Sequence, residues 1–137
     1  MSFENDFVNF YFDKNTLYAN IIAKKSLPAN DKEFDEFLTF FSNFYQACNQ
    51  INQRFVLFYD LSELGVLKFE QYNKWTNLFK EYEQITVKCL ICSSIITSNS
   101  IIANVINTLL KLYDNKKPVK VVTTKEDAIF FINENLK

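Results

Sequence analysis

The chain has 137 residues, with 15 basic and 16 acidic side chains, a net charge of −1 and no histidine. Aromatic residues make up 17% of it, with 15 Phe, against one Gly and two Pro. These figures describe one domain large enough to bury a core without a disulfide or metal staple, and they exclude a disordered chain and a turn-rich β-sandwich.

Residues 7–12 and 16–23 read as two strands joined by Asp13, Lys14 and Asn15, a turn-forming trio. Leu17, Ala19, Ile21 and Ala23 alternate with Thr16, Tyr18 and Asn20, so the second strand turns one face to a core. The first has aromatics on both faces, which suits an edge hairpin partly covered by a helix. Ser26, Leu27, Pro28 and Ala29 then break the strand.

A helix starts at Asn30 or Asp31, where Asn30 and Glu33 have capping-box spacing. Phe34, Phe37, Leu38, Phe41, Phe44, Tyr45, Cys48 and Ile51 follow at intervals of three and four. That stripe is the face of a buried amphipathic helix.

The stretch RFVLFYDLSELG comes next, from Arg54 to the only glycine, Gly65. Its five apolar residues, 55–59, predict a strand buried on both faces. Residues 68–84 read as a second helix, with Phe69, Tyr72, Trp75, Phe79 and Tyr82 on one side. Residues 86–92 read as a strand, with Val87, Cys89 and Ile91 on one face and Leu90 and Cys92 on the other. Residues 93–100 are expected to be a loop, from which Ser98 or Ser100 caps a third helix carrying Ile102, Ile106 and Leu109. Val119–Val122 is the last strand, and Thr124 with Asp127 caps the final helix. The predicted order is β-β-α-β-α-β-α-β-α, an α/β domain with a mixed, mostly parallel sheet and helices packed on it.

Chemistry is sparse in this pattern. Without histidine the commonest general base and metal ligand is missing. A single glycine rules out a phosphate-cradling loop. Cys89 and Cys92 have CxxC spacing, yet inside a strand they point to opposite faces and make no redox pair. Asp60 with Glu63 is too small a carboxylate set for a metal. No cofactor is expected.

The nearest approach to a basic stripe is Lys111, Lys116, Lys117, Lys120 and Lys125, which a solvated helix end explains, so no nucleic acid is expected. No apolar run reaches the ~18 residues of a membrane span, and the acidic opening MSFENDF has no export pattern. Three cysteines are an odd count that fits a reducing cytoplasm. The rim where parallel strands end is the usual binding place of an open α/β sheet. Asp60 to Glu63, the hydroxyl-rich 93–100 and Thr123-Thr124 meet there, where they either hold an anion or cap helices.

Two stretches, FVLFYDLSELG and VKVVTTKEDAIFFI, together with the element order, resemble the STAS domain of anti-sigma-factor antagonists and sulfate transporters. The first resembles its central strand ending in Asp-Leu-Ser, the second its final strand and helix. The resemblance spans almost the whole chain and implies a non-enzymatic interaction module. Signalling members carry Asp-Ser-Ser-Gly or Asp-Ser-Thr-Gly after the central strand, with a hydroxyl that a kinase phosphorylates. Here Lys68, Phe69, Glu70 and Gln71 stand in that place, so the switch is not expected, and Glu70 would at most imitate a permanently modified state.

Two functions follow. In the first, the chain binds a protein partner, or a second copy as a homodimer, through Asp60, Ser62, Glu63, Lys68, Glu70, Gln71 and Lys74. In the second, it carries or senses an apolar small molecule or lipid in a pocket lined by Phe37, Phe41, Phe44, Trp75 and Phe79.

Overall fold

β4 (Phe55–Asp60) lies inside a six-stranded sheet, as its unbroken apolar run requires. The structure, a computed structural model, describes residues 1–24, 29–65, 67–112 and 115–137. Before β4 come β1 (Ser2–Glu4), β2 (Val8–Asp13), β3 (Tyr18–Ala23) and α1 (Asp31–Ile51). After it come α2 (Phe69–Glu81), α3 (Glu83–Cys89), β5 (Leu90–Ile96), α4 (Ser100–Leu112), β6 (Val119–Val122) and α5 (Lys125–Leu136). The strands lie side by side in chain order. β1, β2 and β3 pair antiparallel, and β3 to β6 pair parallel. The expected α/β class with a mixed, mostly parallel sheet is the architecture found.

Parallel neighbours joined by right-handed crossovers place their connecting helices on one face of the sheet. That face is built from Phe10, Ala19, Ile21, Phe55, Leu57 and Tyr59, and it packs against α1, α2 and α4. The opposite face carries Val56, Phe58, Cys92 and Ile96, which α5 covers with Ala128 and Ile132.

α1 begins with the capping box its spacing predicts. The Asn30 side chain accepts from the Glu33 N–H at 2.8 Å, and the Glu33 carboxylate accepts from the Asn30 N–H at 3.2 Å. It ends at Asn52 in the left-handed region, φ 54°, a conformation Asn tolerates better than most residues. Between these ends the aromatic stripe fills the core. Phe10 alone meets the rings of Phe37, Phe40, Phe41 and Phe44 at 4.9 to 6.3 Å.

Four expectations are corrected. The first concerns the edge. β1 makes β2 an interior strand and is itself the edge, and its three residues are too few to show a period. Phe3 secures it by stacking on Phe40 at 5.3 Å. Second, the helix expected over 68–84 is two helices, α2 and α3, meeting at Tyr82. Third, residues 86–89 are helical, and the strand runs through Ser93 and Ser94 to Ile96. β5 is buried along its whole length, so it lacks the alternation that marks a half-exposed strand. An irregularity in its pairing with β4 turns Ile91 and Cys92 to the same side. Fourth, α4 is capped by Asn99, whose side chain accepts from the N–H groups of Ile101 and Ile102, and not by Ser98 or Ser100. Ser26, Leu27 and Pro28 of the expected strand break lie outside the described residues.

All three cysteines are free and buried. Cys89 ends α3 and so is not in the strand as expected, and it and Cys92 of β5 lie in different core clusters. Burial, with Cys89 nearby, pushes the Cys48 thiol up to about 12, and burial pushes Cys92 up to about 11. The folded thiols therefore stay neutral where unfolded ones ionise, near 9. Their contribution is complete below that value and is lost as pH rises toward the folded values. The denaturant midpoint is expected to fall between pH 8 and about pH 10, and the thiols to resist alkylation until the protein unfolds. Prompt alkylation at pH 8 without denaturant would contradict the burial.

Candidate functional site

Seven residues were expected to form a binding rim, and the structure divides them by role. Asp60 closes the turn after β4, accepting from the N–H and the hydroxyl of Ser62. Leu61 continues the sheet by donating to the Ile96 carbonyl at 2.8 Å. Glu63, Lys68, Glu70 and Lys74 are exposed. Lys68 and Lys74 reach across to Asp31 and Asp35 on α1 at 3.3 and 2.9 Å. Asp35 raises the Lys74 pKa first by its hydrogen bond. Pairs so exposed contribute little to stability.

Gln71 is not on the rim. It is 1% exposed, its amide nitrogen donates to the Ala29 carbonyl at 2.8 Å, and its oxygen accepts from the Lys68 N–H at 3.0 Å. Its place at the third helical position turned it inward to hold the start of α2, so it offers no surface contact.

Two of the hydroxyls expected at the rim are likewise engaged, whereas the Ser94 hydroxyl is buried without a partner among the described residues. Thr97 accepts from the Asn99 N–H, and Thr124 accepts from the Asp127 N–H at 3.1 Å. Helix capping accounts for Thr124 and a loop turn ahead of α4 for Thr97.

An apolar concavity lies between α2, α3 and α4 and the sheet face, with a volume of about 120 Å³. Its floor is Tyr59 from β4, Leu90, Ser93 and Ile95 from β5, and Val119 from β6. Tyr72, Trp75, Thr76 and Phe79 of α2, with Thr86 of α3, form one wall. Ile106, Leu109 and Leu110 of α4 form the other, and Asn115, Lys116 and Lys117 complete the lining. Ser93 is small where its neighbours in the sheet are large, and this leaves room above the floor.

Two of the lining residues carry a buried polar atom. Among the described residues the Tyr59 hydroxyl and the Trp75 indole N–H make no hydrogen bond of ordinary geometry. The two rings meet edge to face at 5.3 Å. Burial drives the Tyr59 phenol well above its ordinary pKa, Tyr45 adds to this, and the nearby indole N–H acts weakly the other way. Tyr59 is thus a neutral donor and not a base. Among the described residues no three His, Cys, Asp or Glu side chains gather to hold a metal ion, and no helix is long and apolar enough to cross a membrane.

Of the five residues expected to line an apolar pocket, Trp75 and Phe79 do so. Phe37, Phe41 and Phe44 do not, because they lie at 0 to 1% exposure under α1, packed ring against ring. Periodicity finds the buried face of a helix but cannot separate a filled face from one beside a gap. The missed residues Tyr59, Ser93 and Ile106 come from three elements that only the sheet order brings together. Comparison of the chain with protein-family models, curated proteins and solved structures returns no match.

Proposed function

We propose that the protein is a non-enzymatic binding module that takes a small apolar molecule into the pocket between α2, α3, α4 and the sheet. The observation that carries this reading is the pocket itself, an apolar space of about 120 Å³ whose lining includes two donors unpartnered among the described residues. Ligand sites are mostly apolar concavities with few polar groups that fix orientation, and native proteins rarely leave buried polar atoms unpaired.

Trp75 is the only tryptophan and lines the pocket, so its emission reports occupancy directly. Native mass spectrometry of the purified protein is expected to show added mass from a bound small molecule. Ethylbenzene added to stripped protein is expected to shift Trp75 emission saturably, and Leu109→Phe to weaken that binding by about tenfold by filling the space. A clean protein mass together with unresponsive emission would overturn the reading.

A second reading is a STAS-like protein-interaction module without the phosphorylation switch. It is supported by Phe69, which is 74% exposed on the first turn of α2 beside Lys68 and Glu70. Large exposed aromatics are favoured anchors of protein interfaces. A clean monomer or dimer mass favours this reading, with the homodimer as its simplest form.

A further inference from the structure

We infer that the buried end of the ligand carries a neutral hydrogen-bond acceptor, such as the carbonyl of a ketone, ester or amide, received by the Tyr59 hydroxyl and the Trp75 indole N–H. This rests on the pocket reading above and adds the chemistry of what enters it. An indole N–H only donates, so the partner missing from Trp75 must be an acceptor. Among the described residues neither it nor the Tyr59 hydroxyl has a partner of ordinary geometry. The rings meet edge to face at 5.3 Å, so the two donors belong to adjoining side chains of the same lining.

Charge is argued from the strand register. Tyr59 pairs with Ile95, and Ile95 with Val121. The lining residues Lys116 and Lys117 precede the start of β6, at the opposite end of the parallel strands from Tyr59. A carboxylate at the Tyr59 end would lie among apolar walls without a counter-ion, which is costly. A carbonyl there is matched by the two donors. The space of about 120 Å³ is close to the roughly 150 Å³ cavity known to accept benzene, so the buried end is about the size of one small ring.

The test compares acetophenone, ethylbenzene and benzoate by calorimetry on the full chain. Tyr59→Phe keeps the ring and is expected to lower acetophenone affinity about tenfold, the effect of one buried hydrogen bond, while ethylbenzene affinity stays within about twofold. Trp75→Phe removes part of the wall along with the donor, so it is expected to weaken both ligands, acetophenone more than ethylbenzene, and thermal melts of both variants check that they fold. Benzoate is expected to bind at least about tenfold more weakly than acetophenone at pH 7. Equal losses for acetophenone and ethylbenzene, or no loss for either because a resident water already satisfies the donors, would overturn the inference while leaving the pocket reading intact. Benzoate binding as tightly as acetophenone would overturn it too. If neither acetophenone nor ethylbenzene binds the unaltered protein, the pocket reading falls and the inference with it.

Discussion

Phe41→Ala is expected to destabilise the protein by about 3–5 kcal/mol, the usual cost of emptying a phenylalanine site in a packed core. Phe41 is fully buried. Its ring meets Phe10 at 5.7 Å, Phe37 at 5.8 Å, Phe79 at 5.6 Å and Tyr45 at 5.1 Å. Truncation removes the transfer energy of the ring, leaves a cavity and deletes edge-to-face contacts worth about 0.5–1.5 kcal/mol each. Small domains have only about 5–15 kcal/mol in total, so the loss takes a large share and should lower Tm by on the order of 10–20 °C. Phe69→Ala is the matched control. That ring is 74% exposed, so its removal should change stability by less than about 0.5 kcal/mol. Denaturant melts of the two variants give the comparison, and similar small losses would contradict the packing described. Phe79 belongs both to this cluster and to the pocket wall. Phe41→Ala should therefore weaken ethylbenzene binding as well, which Phe69→Ala should not.

This aromatic cluster also explains how far the sequence could be read. The α1 stripe from Phe34 to Cys48, its capping box and the apolar run of β4 each follow from local spacing and stand where spacing puts them, while Ile51 at the end of the stripe is exposed. β5 fails for a physical reason. Ser93 and Ser94 read as loop residues because a hydroxyl is usually solvated, yet here they lie in a strand covered on both faces. Ser94 is small on the α5 side of the sheet, where Ala128 is small too. Ser93 is small on the other side, where it floors the pocket. The site was legible only in Trp75 and Phe79, which share a helical stripe. Tyr59, Ser93 and Ile106 are separated by long stretches of chain, and no local period links them. Of the rim residues Gln71 is the one turned inward, because the sequence shows that it opens a helix but not which way it turns.

Gln71 supports the second large prediction. Gln71→Ala is expected to destabilise the protein by about 2–4 kcal/mol, because it leaves the Ala29 carbonyl and the Lys68 N–H without partners, at about 1–3 kcal/mol for each buried group. Both bonds are short, at 2.8 and 3.0 Å, the side chain is 1% exposed and the bond to Ala29 is buried, so water cannot replace that bond without opening the joint between α1 and α2. Gln71→Glu makes the argument sharper. A carboxylate there still accepts from Lys68 but faces the Ala29 carbonyl with no proton to donate. Burial and that carbonyl raise its folded pKa above the usual ~4.3 of Glu. For an acid whose folded pKa is raised, stability is retained at low pH and lost as pH rises through the raised value. Gln71→Glu should thus be closer to the unaltered protein at pH 5 than at pH 8, whereas Gln71→Ala should stay equally destabilised at both. A surface contact for a partner makes the opposite prediction: stability of the isolated protein unchanged by either substitution, with loss only of binding. Melts at the two pH values separate an internal strut from a docking residue without requiring any partner to be known.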